Sequence, residues 1–411
     1  MATCGPAPTA SQRANFVAQM ALVPLRTPVA DLSGPRDALV SAVKQAFSFD
    51  NTACPGMLRL KMSPDHAQLL RAVHEESRRF FDMPRSAKDV YSTPPGYPSG
   101  PHRCGGYKIQ KAFVDPDGGA EHVLNEWFVA GCPRPIDRSV EPEYYDSAAG
   151  HHFYADDTPR SWPEEVPTLR PAHDAYYLAT EQVCFQLLEV FEEVIGFAPG
   201  DLLRRARREP FYVTTVAHYP ELEATPPEGQ VRIDAHYDQS LFALVGSCDA
   251  VNPLGGNLEV RALDGSWSEV GLGEGELVLN CGEQLARLSN GTLHHAVHRV
   301  NTPPAEALAG TSGGSSRSTS RISVMTYFQL DYDADITPIP QCVPEGSEPK
   351  YPPSIAAECI LYTDPVVSAK LGFDVEAQKK MRIAQVRRAS HPPLHLLLCI
   401  CICIAPASAA D

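Results

Sequence analysis

Five polar residues in the C-terminal half have the types and spacings of a reaction centre: His236 and Asp238, His298, then Arg321 and Ser323. Within each close pair the members are two residues apart, which on a β-strand puts both side chains on one face. Two imidazoles and one carboxylate on a rigid sheet form the donor set of a non-haem Fe(II) site with open coordination positions. The same three ligands can also hold zinc and activate a bound water for hydrolysis. Arg321 and Ser323 argue for the first chemistry. A guanidinium gives a carboxylate two parallel hydrogen bonds, a nearby hydroxyl adds a third, and a hydrolase has no need of such a clamp. Arginine also stays charged, so a buried one requires an anionic partner.

The His236-Tyr237-Asp238 triplet is weak evidence by itself, because such triplets arise by chance. His298 follows 62 residues later in another strand-like segment, and Arg321 follows 23 residues after that. His294 would share a face with His298 on a regular strand and competes for the ligand role; Asn290-Gly291 before it and Arg299-Val300 after it favour His298. His218 should point away from the face carrying Ala217 and Tyr219, a structural position. Cys281 lies in an apolar run with no base nearby and is expected to be a buried apolar residue. His151-His152 falls in a loop and carries no assignment.

Positioning such a centre takes a rigid scaffold. After Pro210 eight short strand candidates follow one another: 211–219, 231–238, 241–245, 258–262, 267–270, 277–280, 292–300 and 321–330. Asp264-Gly265 is a hairpin signal between two of them. Evenly spaced short strands punctuated by Gly and Pro predict a sandwich or jelly roll, not a parallel α/β sheet. Upstream, Leu39, Val43 and Phe47 repeat at helical spacing over 36–47. Ser63 is placed to cap a helix that opens on Pro64 and buries Leu69, Leu70, Val73, Phe80 and Phe81 before Pro84. A third helix spans about 172–195, with Gly196 as its C-terminal stop. A short strand is predicted near 23–32. Residues 94–167 are rich in Pro, Gly and Asp and read as long loops with short strands at 106–114 and 126–130. Loops of that length tend to frame a site.

Bulk properties exclude several functions. The 411 residues carry a net charge of −15, which argues against a phosphate-tracking surface and against docking on an anionic membrane. Twelve cysteines contain no C-x-x-C pair, so neither a zinc ribbon nor a thioredoxin-type motif is supported. Free thiols in a reducing compartment, the cytoplasm, are the expectation. The first thirty residues hold Arg13 and Arg26 and no acid, a weak signal for an organelle transit peptide that stands as the alternative, since Ser and Arg are sparse there. The apolar run 394–404 is too short to cross a bilayer as a helix.

Several separated motifs occur in an order that resembles the iron- and 2-oxoglutarate-dependent dioxygenases of the isopenicillin-N-synthase-like group. They are His236-Tyr237-Asp238, Gly255-Gly256-Asn257-Leu258-Glu259-Val260, Asp264-Gly265-Ser266-Trp267, Leu279-Asn280-Cys281-Gly282-Glu283, Ser289-Asn290-Gly291, His298-Arg299-Val300 and Arg321-Ile322-Ser323. Nearer the front, Val29-Ala30-Asp31-Leu32-Ser33-Gly34 and Phe80-Phe81-Asp82-Met83-Pro84 with Lys88 are similar too, so the likeness covers most of 23–385.

That resemblance implies an α+β, mainly β fold: a double-stranded β-helix (jelly roll) core with an N-terminal helical layer and a C-terminal helix. The implied division is a flexible leader at 1–22, an N-terminal region of helices and loops at 23–200, the jelly-roll core at 201–335, a closing segment at 336–388 with a helix near 365–388, and a tail at 389–411. It implies that His236, Asp238 and His298 bind Fe(II), and that Arg321 and Ser323, assisted by Tyr219, hold the distal carboxylate of 2-oxoglutarate. The implied reaction uses O2, releases succinate and CO2, and hydroxylates, desaturates or cyclises a small organic metabolite. A monomer without nucleic-acid or membrane partners is expected. Two other readings stand beside it: a metal-dependent hydrolase, and a silent small-ligand binder on the same fold. The chain departs from the group's pattern at Ala217, where an Asn is usual, in the insert at 303–320, and between Asn51 and Leu60, where the group commonly reads Asn-His-Gly.

Overall fold

The structure, a computed structural model, describes residues 29–49, 51, 55–92, 106–114, 119–135, 137–154, 162–206, 213–222, 226–249, 257–273, 275–303 and 320–361. The expected leader, the closing helix at 365–388, the apolar run and nearly all of the 303–320 insert lie outside them. Twelve strands form two sheets among the described residues. In chain order they are β1 (Val29–Asp31), β2 (Met57–Lys61), β3 (Gly106–Val114), β4 (Glu121–Ala130), β5 (Val213–Tyr219), β6 (Ile233–His236), β7 (Phe242–Gly246), β8 (Leu258–Arg261), β9 (Trp267–Glu269), β10 (Glu276–Cys281), β11 (His298–Val300) and β12 (Arg321–Phe328). The larger sheet runs β1-β2-β10-β7-β12-β5-β4-β3 and the smaller β6-β11-β8-β9. All the described pairings are antiparallel except β1 with β2.

Alternation along the strands divides the larger sheet into two apolar faces. Val216, Phe242, Leu244, Leu277, Leu279, Ile322, Val324 and Phe328 face the helical layer. Ala217, Tyr219, Val278 and Met325 face the smaller sheet, packing with Ile233, Leu258, Val260 and Val300. The polar residues Arg321, Ser323 and Asn280 fall on this second, inward face by the same period of two. The result is a jelly roll closed between two sheets, as the strand pattern predicts, and the double-stranded β-helix that the resemblance implies.

Three long helices cover the outer face. In α1 (Arg36–Phe47), Arg36 reaches Glu189 and Glu193 on α3 (Leu169–Ile195), and Phe47 stacks on Phe191 with ring centroids 5.7 Å apart. In α2 (Pro64–Phe81) the Ser63 hydroxyl accepts from the His66 amide at 3.2 Å and Pro64 fills the first turn, as its sequence predicts. Gly196 ends α3 at φ 92°, a left-handed conformation that costs glycine little.

A buried charge cluster ties this layer to the sheet. Lys88, at the end of the short helical turn Arg85–Lys88, lies 2.9 Å from both carboxylate oxygens of Glu126 on β4. Tyr107 donates to the same carboxylate at 2.5 Å and His218 Nδ1 at 2.7 Å. Burial by itself would raise the Glu126 pKa; the bonds from His218, Tyr107 and Lys88 overcome it and hold the carboxyl below its usual range. His218 thus sits on the face opposite Tyr219, in the structural position expected for it.

Two local readings differ from the structure, and one segment carries no structural expectation. The strand predicted over 231–238 stops at His236, because the chain turns there and the Asp238 carbonyl accepts from the Glu283 amide. Only 298–300 of the predicted 292–300 strand is extended in a sheet. The preceding residues are held by the Ser289 hydroxyl on Leu293 N and by Phe47 O on His294 N. The segment 51–60, divergent in sequence, makes the turn at Gly56 and strand β2. A Cβ on Gly56 would lie 2.2 Å from the His294 carbonyl, and its φ is +77°, so glycine is required.

Candidate metal and 2-oxoglutarate site

His236 and His298 face each other across β6 and β11 as a registered pair, with ring centroids 4.3 Å apart. Asp238 lies just beyond the end of β6, its Oδ1 3.8 Å from Nε2 of each imidazole. The three ligand atoms lie within 4.8 Å of one another, and these residues are the one such His/Cys/Asp/Glu group among the described residues. Both imidazoles are oriented from behind. His236 Nδ1 lies 2.8 Å from the Asp234 carbonyl and His298 Nδ1 3.1 Å from the Ala296 carbonyl. A carbonyl only accepts, so each Nδ1 carries the proton and each Nε2 lone pair is aimed at the shared space. Burial, then the neighbouring His298, pushes the His236 pKa down to about 4, which keeps that ring neutral and able to ligate at pH 7.

Asn280 completes the arrangement, and sequence reasoning gave it no role. Its amide donates to Asp238 Oδ2 at 2.6 Å and leaves Oδ1 toward the imidazoles. A signal was available: Asn280 is the polar position on the inward face of β10, between buried Leu279 and Cys281. His294, the rival ligand, is elsewhere. It stacks on His295, meets Phe49 edge-on and is depressed to about 3 by burial and His295. Cys281 is buried, and burial pushes its thiol up, as an inert core cysteine should be.

The second group lies on the inward face of β5 and β12. Arg321 pairs in register with Tyr219, its guanidinium carbon 4.8 Å from the centre of the tyrosine ring, and Ser323 pairs with Ala217. Arg321 Nε is buried without a hydrogen-bond partner among the described residues. The buried Arg232 also lies 5.8 Å from the Tyr219 ring, its pKa lowered to about 10 by burial and by Arg321. Two guanidiniums near one ring, with one N–H unanswered, leave a place that suits an anion. Ile322, between Arg321 and Ser323, is fixed at both ends of its peptide. Its carbonyl accepts from Ser247 and its amide donates to Asp249, both at 2.7 Å, while Asp249 is in turn held by His74 and Arg78 of α2.

Residues 211–329 match the 2OG-Fe(II) oxygenase superfamily. That match spans the strands from β5 to β12. Its curated relatives include validamycin A dioxygenase of Streptomyces hygroscopicus subsp. limoneus, 24% identical over 72% of this chain and 73% of that protein. Flavanone 3-dioxygenase 2 of Oryza sativa subsp. japonica is 27% identical over 67% of this chain and 69% of that protein. Among solved structures, a 2OG-Fe(II) oxygenase family protein from Caulobacter crescentus superposes with a TM-score of 0.61 at 23% identity, covering 81% of this chain and 96% of that one. A full-length Neurospora crassa protein, solved in complex with α-ketoglutarate and 5-formyluracil, gives 0.61 at 19%, covering 84% and 96%. The fold is that of these solved oxygenases, the second of which holds α-ketoglutarate. The residues present fit both Fe(II) and 2-oxoglutarate: three convergent N and O donors for the metal, and a buried arginine with an unanswered N–H for the acid.

Proposed function

We propose that His236, Asp238 and His298 hold the Fe(II) of this 2-oxoglutarate-dependent dioxygenase, and that Arg321, Ser323 and Tyr219 receive the distal carboxylate of 2-oxoglutarate. The observation that carries the reading is the convergence of two Nε2 atoms and one Asp238 oxygen from separate parts of the chain. Bound Fe(II), with 2-oxoglutarate and O2, supplies an oxidant that removes hydrogen from a nearby carbon as 2-oxoglutarate becomes succinate and CO2. The protein's part is geometric and electrostatic. Backbone carbonyls of Asp234 and Ala296 fix the imidazole tautomers, and Asn280 turns the Asp238 carboxylate. Arg321 orients the acid through paired N–H bonds, and the apolar lining of Val260, Val300 and Met325 keeps the chamber dry.

The substrate is a small organic metabolite entering between the sheets, and the outcome is hydroxylation, desaturation or ring formation. We read the enzyme as a cytoplasmic monomer without nucleic-acid or membrane partners. The net charge of −15 supports the last two points, and no helix among the described residues is long and apolar enough to cross a membrane. The division into a leader (1–22), N-terminal region (23–200), core (201–335), closing segment (336–388) and tail (389–411) belongs to the same reading.

The test is Fe(II)-dependent release of succinate from 2-oxoglutarate across a panel of small metabolites. Succinate release that needs iron and disappears in the His298→Ala variant is expected. Iron bound as tightly by that variant as by the wild type would overturn the ligand assignment.

A further inference from the structure

Trp127 has a polar atom that no described residue satisfies. It lies on β4, and its indole Nε1–H is buried with no hydrogen-bond partner among the described residues. A buried, unanswered N–H is costly enough that folded proteins rarely leave one without a use. The sheet register shows what it faces. Trp127 is paired with Ala217 on β5, and Ala217 is paired with Ser323 on β12, so the three form one row across the inward face. Adjacent strands are about 4.8 Å apart, so only the Ala217 methyl separates the indole from the Ser323 hydroxyl's side of the chamber. The ring packs against the same interior cluster as Tyr219, Ala217 and Met325. It is steadied by the Lys108 ammonium, 4.8 Å from its centre on the paired position of β3.

We propose that the Trp127 indole N–H is a further hydrogen-bond donor to bound 2-oxoglutarate, acting across the small side chain at 217. The inference rests on the reading of Arg321 and Ser323 as the 2-oxoglutarate clamp. In this arrangement the acid is gripped from β12 by Arg321 and Ser323 and from β4 by the indole. Lys108 adds positive charge on the same side. Ala217 is what makes the reach possible, since a larger residue there would stand between the indole and the ligand.

The test uses the full chain and 2-oxoglutarate itself. In an NMR spectrum of the 15N-labelled protein, the Trp127 indole resonance, identified by its absence in Trp127→Phe, should move on addition of 2-oxoglutarate in the presence of a redox-inert divalent metal. By calorimetry, Trp127→Phe should bind 2-oxoglutarate about tenfold or more weakly, the range for losing a hydrogen bond to a charged acceptor, while metal affinity is unchanged. Adding Ala217→Asn to that variant, which restores a donor in the same row, should recover part of the loss. A Trp127 resonance that does not move, or equal affinity in Trp127→Phe, overturns the inference while leaving the Arg321 clamp standing. Failure of the wild type to bind 2-oxoglutarate at all overturns both.

Discussion

Replacing Lys88 with Met tests whether the buried cluster around Glu126 joins the helical layer to the sheet as a balanced set of charges. The Lys88 and Glu126 side chains are 8% and 4% exposed, so water screens their interaction little. Removing one partner of such a pair leaves an uncompensated charge, at a cost of about 3–5 kcal/mol. His218 and Tyr107 still donate to Glu126 after the change, which places the expected loss near the lower end, about 3 kcal/mol. Met keeps the aliphatic stem against Phe81. For a domain this large, roughly 2 °C of melting temperature per kcal/mol gives a fall of about 6 °C at pH 7, read by circular dichroism.

The same cluster fixes how that fall should depend on pH. The Glu126 pKa is lowered in the folded state, so its contribution is fully present above the unfolded carboxyl value and is lost as pH falls through the folded one. The gap between wild type and Lys88→Met should therefore narrow below about pH 4.5. Converting Glu126 to Gln in the same variant removes the stranded charge and should restore part of the stability. A Lys88→Met protein that melts within about 1 °C of wild type, or a gap that does not change on acidification, would refute the reasoning.

Other changes test the site directly. His236→Ala and His298→Ala should each abolish iron binding measured by equilibrium dialysis, whereas His294→Ala should retain it; the opposite pattern for His294 and His298 would exchange their roles. Arg321→Lys loses the planar fork that pairs with a carboxylate and should weaken 2-oxoglutarate by about tenfold to a hundredfold by calorimetry, with iron binding intact. Gly282→Ala would place a Cβ 2.0 Å from the Ser240 carbonyl, beside the turn that presents Asp238, and should sharply reduce the yield of soluble folded protein. A normal melting temperature in that variant would show that the turn can yield.

The features legible in the sequence were those that local chemistry marks. Ser63-Pro64 and Gly196 bound their helices as read, and period-two alternation put Arg321 and Ser323 on one face of β12. The likeness to 2-oxoglutarate oxygenases was legible as well, because the shared motifs are spread through the chain in a fixed order. What stayed hidden depends on distant partners. Met57–Lys61 has no clear alternation because β1 and β10 flank it and the sheet buries it, leaving only Lys61 of its five residues exposed. Helix α4 (Glu283–Leu288) is equally unmarked, since its Glu283–Arg287 pair is buried like a core contact. Asn280 and Trp127 acquire their roles only when β10 and β4 are laid beside their neighbours. The ending of β6 at His236 could not be read either, since the Glu283 amide that takes the Asp238 carbonyl is 45 residues away.

The pinning of Ile322 has an evolutionary reading. The strand proposed to grip the acid is fastened through Asp249 to His74 and Arg78, on a helix whose outer side meets solvent. Substitutions on the back of the molecule can thus retune cosubstrate affinity while every residue lining the reaction chamber stays the same. Lineages carrying this architecture have a route for matching enzyme to metabolite supply that leaves substrate selectivity untouched.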